Sequence, residues 1–322
     1  MASAWIGNRG TVRDTGGFNA AREAEIIWKA IRGGEARTTI FSILTSRTNA
    51  QRQLIAGCFR EGSGKDLKDV LRDELSGDVK HLMVALVIPP AVFDAQLLYR
   101  ALKGPGTDEE MLIEVLASRN NWQMKDIVQT YCSIYNRSLR TDISSDTSGN
   151  FRKALINLTH SRRSESPIVD AHLAKNDAQV LYSAGEKKWG TDEDRFTEIL
   201  CFSSLQQLKK TFSEYQKLSG MTIEDTIKRE TSGQYRYLLL AIVKCARSTP
   251  AFFAEKLRRA LKGVGTDEAT LNRVMVSRSE IDLWDVRTEY KRLSGHSLYS
   301  AIQSDTSGDY RTALLRICGG DD

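Results

Sequence analysis

Only five prolines occur in 322 residues, well under the usual share of ~5%. With so few helix breakers the chain reads as mostly helical. Its five cysteines (Cys58, Cys132, Cys201, Cys245 and Cys318) are odd in number, widely scattered and without any CxxC pair. That argues against a disulfide framework or a zinc site and predicts free thiols in a reducing compartment, most of them buried in apolar helical runs. The histidines His81, His160, His172 and His296 stand apart from one another, and no HExxH, serine elbow, GxxxxGK[ST] or EF-hand loop is present. Gly185 to Thr191 comes near a phosphate loop, but Thr191 takes the place of the lysine. Catalysis has no visible carrier, so no enzyme is expected.

Long apolar runs are missing as well. The longest, Leu82 to Phe93, is interrupted by Pro89 and Pro90 and falls far short of the ~20 residues that span a bilayer. Met1 to Gly10 has no apolar core of signal-peptide length, so export by that route is not expected. Charge is not concentrated either: 46 basic and 41 acidic residues are spread along the chain, with a net charge of +5. This is a mild bias towards anionic partners without a basic arm or an aromatic-interleaved stripe, and nucleic acid is therefore disfavoured as a partner.

The sequence does repeat itself. A phrase made of an acid, then Leu or Thr, then Ser-Gly occurs at Glu74, Asp146, Glu230 and Asp305. Arg47, Arg119 and Arg278 lie 27 residues before three of these acids, and Ser203 holds that position in the third copy. Gly-Thr-Asp-Glu starts at Gly106, Gly190 and Gly265, each 40 residues before its acid. Three features in one register define four homologous modules. The expected organisation is a tail over residues 1–17, modules over 18–89, 90–161, 173–248 and 249–322, and a polar linker over 162–172, giving two pairs of modules. Apolar residues recur at helical spacing after each Gly-Thr-Asp-Glu: Leu112, Val115 and Leu116; Phe196, Ile199 and Leu200; Leu271, Val274 and Met275; and Ile40, Ile43 and Leu44 in the first copy. The fold class is all-α. Thr107 is placed as a helix N-cap, with Glu110 completing a capping box.

A glycine turn ahead of a helix frees backbone carbonyls and lets another group approach closely. A carboxylate brought back by an intervening helical hairpin then completes an oxygen-only cage. Such a cage suits Ca2+, which takes about 6–8 oxygens, better than Mg2+, which prefers a tighter octahedron. Three carbonyls and one bidentate acid leave positions open for water or for a partner's oxygens. A site with one negative charge binds weakly alone and gains from a surface that engages several modules together. For any single copy a plain helix cap would explain the phrase; the fixed spacing between glycine and acid is what capping does not require.

The phrases KGPGTDEE from Lys103, KKWGTDED from Lys187 and KGVGTDEA from Lys262, the four acid phrases, SRSEIDL from Ser277 and the terminal CGGDD together resemble an annexin over nearly the whole chain. The resemblance implies four five-helix modules forming a curved disc whose convex face binds acidic phospholipid through calcium. It implies a cytoplasmic protein, reversibly peripheral on membranes. Carried over by position, the second site would use carbonyls of Leu102, Gly104 and Gly106 with the carboxylate of Asp146. The third would use Gly185, Lys188 and Gly190 with Glu230, and the fourth Leu261, Gly263 and Gly265 with Asp305. Trp189, among lysines and glycine, is expected to be exposed as an interfacial anchor. In the first module, counting back 40 from Glu74 reaches Gly34, but that loop is one residue short and Glu35, Ala36 and Arg37 replace Thr-Asp-Glu. This site is expected to be weak or lost, with Arg37 a solvated surface residue or, alternatively, a contact to lipid phosphate. The tail is a possible docking point for a protein partner. The competing reading is a helical scaffold that binds protein or nucleic acid independently of calcium.

Overall fold

The computed structural model describes residues 4–34, 36–186, 193–263 and 265–321. Among them are nineteen α-helices and no strand. The first repeat contains α1 (Ala20–Gly33), α2 (Ala36–Leu44), α3 (Asn49–Ser63), α4 (Leu67–Glu74) and α5 (Gly77–Leu86). The second contains α6 (Pro90–Leu102), α7 (Glu109–Ser118), α8 (Asn121–Tyr135), α9 (Leu139–Asp146) and α10 (Gly149–Thr159). After the linker come α11 (Ala171–Glu186), α12 (Glu193–Phe202), α13 (Leu205–Ser219), α14 (Ile223–Glu230) and α15 (Gly233–Ala260). The chain closes with α16 (Glu268–Arg278), α17 (Leu283–Ser294), α18 (Leu298–Asp305) and α19 (Gly308–Cys318).

Local chemistry explains where these helices start. Thr48 with Gln51, and Asn120 with Gln123, form reciprocal capping boxes at α3 and α8, which satisfy otherwise orphaned amides. The helix α15 is long and apolar enough to cross a membrane by composition, yet Ser248 (φ −164°, ψ 106°) breaks it. The Ser248 hydroxyl accepts from the Ala251 amide, so it caps a second helix that carries Pro250 in its first turn, where proline is tolerated. The first part belongs to the third repeat and the second part opens the fourth.

The expected apolar stripes are buried: Leu112, Val115 and Leu116; Phe196, Ile199 and Leu200; Leu271, Val274 and Met275. In the first repeat Ile40 and Leu44 are buried while Ile43 is only half-buried, and Phe41 takes up the core position instead. None of the five cysteines is in a disulfide; Cys201, Cys245 and Cys318 are buried, whereas Cys132 is exposed. Burial pushes the Cys201 thiol up to about 12.

The chain divides into two compact units, Met1–Phe93 with Phe253–Asp322, and Asp94–Phe252. The linker therefore does not separate the pairs: the first repeat pairs with the fourth, and the second with the third across the linker. In the first unit α5 packs on α16 and α19 on α2; in the second, α10 packs on α12 and α7. The tail belongs to the first unit and is no free arm. Amides of Gly7, Arg9 and Val12 donate to carbonyls of Glu280, Ile281 and Ser279 at 2.9, 3.2 and 3.0 Å. A Cβ on Gly7 would stand 2.3 Å from the Ile281 oxygen, so only glycine permits this approach.

The register position of Arg47, Arg119, Ser203 and Arg278 separates the repeats. Arg47 pairs with Glu23 and Arg119 with Asp94, each at 2.6 Å, and the second pair is almost fully buried. Arg278 lies over the Phe253 ring at 4.5 Å and pairs with Asp282 at 2.7 Å. In the third repeat Ser203 leaves Asp177 buried without that guanidinium. Arg163 from the linker lies near this position, donating to the carbonyls of Leu200 and Ser203 at 2.8 Å each. Burial raises the pKa of Asp177, and Arg195 counters only part of that. A raised folded-state pKa contributes stability that is complete below the ordinary carboxylate range and is lost as pH rises through the raised value. Asp177→Asn should therefore raise Tm at pH 7 by ~1–3 °C, an advantage that shrinks to nothing as pH falls to about 4. Calorimetry across that range checks it; identical melting at every pH would show the carboxylate to be fully compensated.

Candidate functional site

Each acid of the repeated phrase is the last residue of the fourth helix of its repeat: Glu74 in α4, Asp146 in α9, Glu230 in α14 and Asp305 in α18. A carboxylate there faces the negative end of the helix dipole and the last unpaired carbonyls, a placement that is unfavourable unless a cation shares the spot. The following residue then folds back on the helix. Thr147, Thr231 and Thr306 donate their hydroxyls to Ile143, Ile227 and Ile302 at 2.6, 2.5 and 2.6 Å. Arg152, Arg236 and Arg311 donate through Nε to the carbonyls of those same threonines, each at 2.6 Å. The first repeat has Leu75 and Lys80 at these two positions. These arginines were not singled out from the sequence, although their constant place three residues after the glycine was readable there.

In the second repeat the loop between α6 and α7 is closed by the Asp108 amide on the Ala101 carbonyl at 2.9 Å; in the fourth, Asp267 and Ala260 do the same at 2.9 Å. Gly104 and Gly106 have φ of 131° and 95°, Gly263 and Gly265 of 148° and 92°. Side chains rarely tolerate these values, so glycine is what lets the loop turn its carbonyls outward. Among the described residues no donor reaches the carbonyls of Leu102, Gly104, Gly106, Leu261, Gly263 or Gly265.

The cap differs from the expectation. Asp108, not Thr107, is the N-cap of α7 and accepts from the Met111 amide; Asp267 caps α16 likewise through Thr270. No Thr107–Glu110 capping box forms, because the threonine is turned the other way. Thr107 Oγ1 donates to the Asp146 carbonyl at 3.3 Å, and Thr266 Oγ1 to the Asp305 carbonyl at 3.1 Å. Each loop is thereby tied to the residue that carries its acid.

In the third repeat Gly185 is buried in the last turn of α11, where a Cβ would meet Thr226 at 3.3 Å. Lys188, Trp189 and Gly190 lie outside the described residues. Glu230 ends α14 and is paired with Arg229 at 2.5 Å. The first repeat has no comparable loop: Gly34 caps α1 at φ 81° with its amide on the Ala30 carbonyl, and α2 begins two residues later. Arg37 occupies the register position of Glu109 and Glu193. It pairs with Asp309 of the fourth repeat at 3.3 Å, where in the other unit Asn150 donates to Glu193. Arg37 is thus an exposed side chain, as expected, that also makes a charge-swapped tie between repeats.

Asp146 and Glu230 open onto one cleft of about 460 Å³ in the second unit, along with Glu109 and Glu193. Among the described residues no cluster of three His, Cys, Asp or Glu side chains could hold a metal. A metal at the loops must then rely on main-chain oxygens with one acid each, a donor set of hard oxygens that fits calcium.

An annexin family model matches residues 22–86, 93–158, 176–242 and 252–317. Human annexin A3 is 62% identical over the full length of both chains. A solved structure of annexin III superposes with a TM-score of 0.97, at 62% identity and with both chains fully covered. Calcium-bound annexin (Sm)1 is 34% identical with a TM-score of 0.87, over 98% of this chain and 94% of that one.

Thr107→Ala with Thr266→Ala removes the ties without removing a proposed ligand. The calcium concentration for half-maximal sedimentation with acidic vesicles should rise about 2- to 10-fold, the worth of one or two neutral hydrogen bonds. An unchanged midpoint would show that the threonines do not position the loops.

Proposed function

The chain belongs to the annexin family, and from that premise we propose that it binds acidic phospholipid membranes through calcium held between loop carbonyls and a distant carboxylate. Calcium-dependent phospholipid binding is the property of the family. The observation that carries the site assignment is the carboxylate at the carboxyl end of the fourth helix, tied by Thr107 or Thr266 to a glycine loop whose carbonyls have no donor.

On this reading the second site uses Leu102, Gly104 and Gly106 with Asp146, and the fourth Leu261, Gly263 and Gly265 with Asp305. The third uses Gly185, Lys188 and Gly190 with Glu230, and Trp189 is its membrane contact. Calcium supplies a positive centre with open positions that lipid phosphate or carboxylate oxygens complete. The chain's part is to fix its own oxygens. Positive-φ glycines orient the carbonyls, the threonine holds the loop against the acid, and the arginine three residues after the following glycine pins the chain behind it. Gly34 and Glu74 of the first repeat have no such loop and are assigned no site. Several sites engaging one surface together convert weak individual affinities into firm attachment. The protein is read as a binding protein of the cytoplasm, reversibly peripheral on membranes. A protein partner for the tail would have to displace its main-chain bonds to residues 279–281.

Sedimentation with phosphatidylserine vesicles should require calcium and reverse with chelator. Asp146→Ala with Asp305→Ala should raise the calcium demand by about tenfold or more, each variant losing the only charged ligand of its site. Wild-type behaviour of the double variant would refute the site assignment. Binding that persists in chelator and declines smoothly with salt would favour a calcium-independent scaffold.

A further inference from the structure

We propose that a pocket beside the linker of the second unit, lined by Arg162 and Arg163, is a binding site for a single small inorganic anion of halide size. The pocket shares no residue with the glycine loops or their acids, so the site is independent of the calcium-bridged reading.

The pocket has a volume of about 20 Å³, room for one particle about the size of water or a halide. Arg162 and Arg163 line it from the linker, Asn121 from the first turn of α8 and Asn157 from α10, and no carboxylate lines it among the described residues. Arg119 lines it too, but its charge is matched by Asp94. The Arg163 guanidinium donates through Nη1 to the Leu200 and Ser203 carbonyls and has no ion-pair partner among the described residues. Burial holds its pKa below the ordinary arginine value. Arg162 is exposed and equally unpaired. The Asn121 side chain donates to the Arg163 carbonyl at 2.6 Å, while its main-chain amide, the first of α8, has no acceptor among the described residues. Two cations and an orphaned amide around a space without a carboxylate attract an anion.

The first unit fills the corresponding place with an acid of its own. Asn49 and Asn121 each stand two residues after a register arginine, Arg47 and Arg119. The Asn49 side chain donates to the carbonyls of Leu86 and Ile88 at the end of α5, much as Asn121 holds the chain after α10. The Asn49 amide donates to Glu280 Oε2 at 2.9 Å, and that oxygen lies 3.8 Å from Nη1 of the buried Arg52. One carboxylate thus meets a helix amide and a guanidinium together. Glu280 stands two residues after Arg278, and the residue two after Ser203 is Leu205. The third repeat brings no acid at that register position, and an anion from solution takes the carboxylate's place between the Asn121 amide and the linker arginines.

The test uses the full chain in chelator. A crystal soaked in sodium bromide and measured at the bromine absorption edge should show an anomalous peak in contact with the Arg163 guanidinium and the Asn121 amide. In solution, replacing gluconate by chloride at constant ionic strength should raise Tm by about 2–4 °C, the effect of an anion at roughly tenfold its Kd. Arg162→Gln should weaken the chloride dependence about 3- to 10-fold, whereas Arg60→Gln, at an exposed arginine of the first unit, should leave it unchanged. A pocket that holds only water at the bromine edge would overturn the proposal, as would equal chloride shifts in the two variants. Bromide in the crystal without any effect of chloride on melting would mean binding at crystal concentration only, and would also overturn it. A rise in Tm with phosphate but not with chloride would assign the pocket to an oxyanion and refute the halide assignment.

Discussion

A carboxylate at the carboxyl end of a short helix sits where the backbone already presents negative charge. This protein repeats that placement at Glu74, Asp146, Glu230 and Asp305, and the rest of each site is arranged around it. The α9 and α18 ends are held by a threonine hydroxyl reaching back from the glycine loop, and the chain beyond each acid is pinned by an arginine in three of the four repeats. On the proposed reading a divalent cation would relieve the unfavourable contact between carboxylate and helix end and would draw on the loop carbonyls that no amide satisfies. One electrostatic constraint would thereby couple two segments that lie 40 residues apart in the chain and that the threonine hydrogen bonds already join.

The repeats have diverged by exchanging charges, and each exchange is answered locally. Arg37 replaces an acid and finds Asp309, so the first and fourth repeats gain an ion pair where the second and third have a hydrogen bond from Asn150 to Glu193. Ser203 stands where the second repeat has the guanidinium that buries with Asp94, and Arg163 from the linker donates to the Leu200 and Ser203 carbonyls but leaves Asp177 without a full counter-charge. Burying a charge without its partner is among the few substitutions with a large effect on stability, so the packing of the third repeat is sensitive to protonation of Asp177. The linker is therefore part of the third repeat's core chemistry as well as a connection.

Much of this was legible in the residues themselves. The low proline content, the helical spacing of Leu112, Val115 and Leu116 and the constant glycine-to-acid interval led to an all-α chain of four modules, and the family comparison agrees. The acid-bearing phrases could be placed because one register ran through three separate motifs. Other features were hidden for physical reasons. Thr107 looks like a cap, and only the fold shows that Asp108 takes that role while the threonine spans 39 residues to reach the Asp146 carbonyl. Which modules pair is set by packing of α10 on α12 and α5 on α16, surfaces whose apolar residues look the same in every copy. That the tail over residues 1–17 docks on the first unit could not be read from its sequence, because the contact is made by main-chain bonds that Gly7 and Gly10 make possible by lacking a Cβ.

The most direct measurement is a crystal structure determined in the presence of calcium. The account predicts an ion within about 2.3–2.6 Å of loop carbonyls and of the Asp146, Glu230 and Asp305 carboxylates, and none at Gly34 and Glu74. Loops that stay empty in crystals of a protein that still sediments with acidic vesicles in calcium would contradict it.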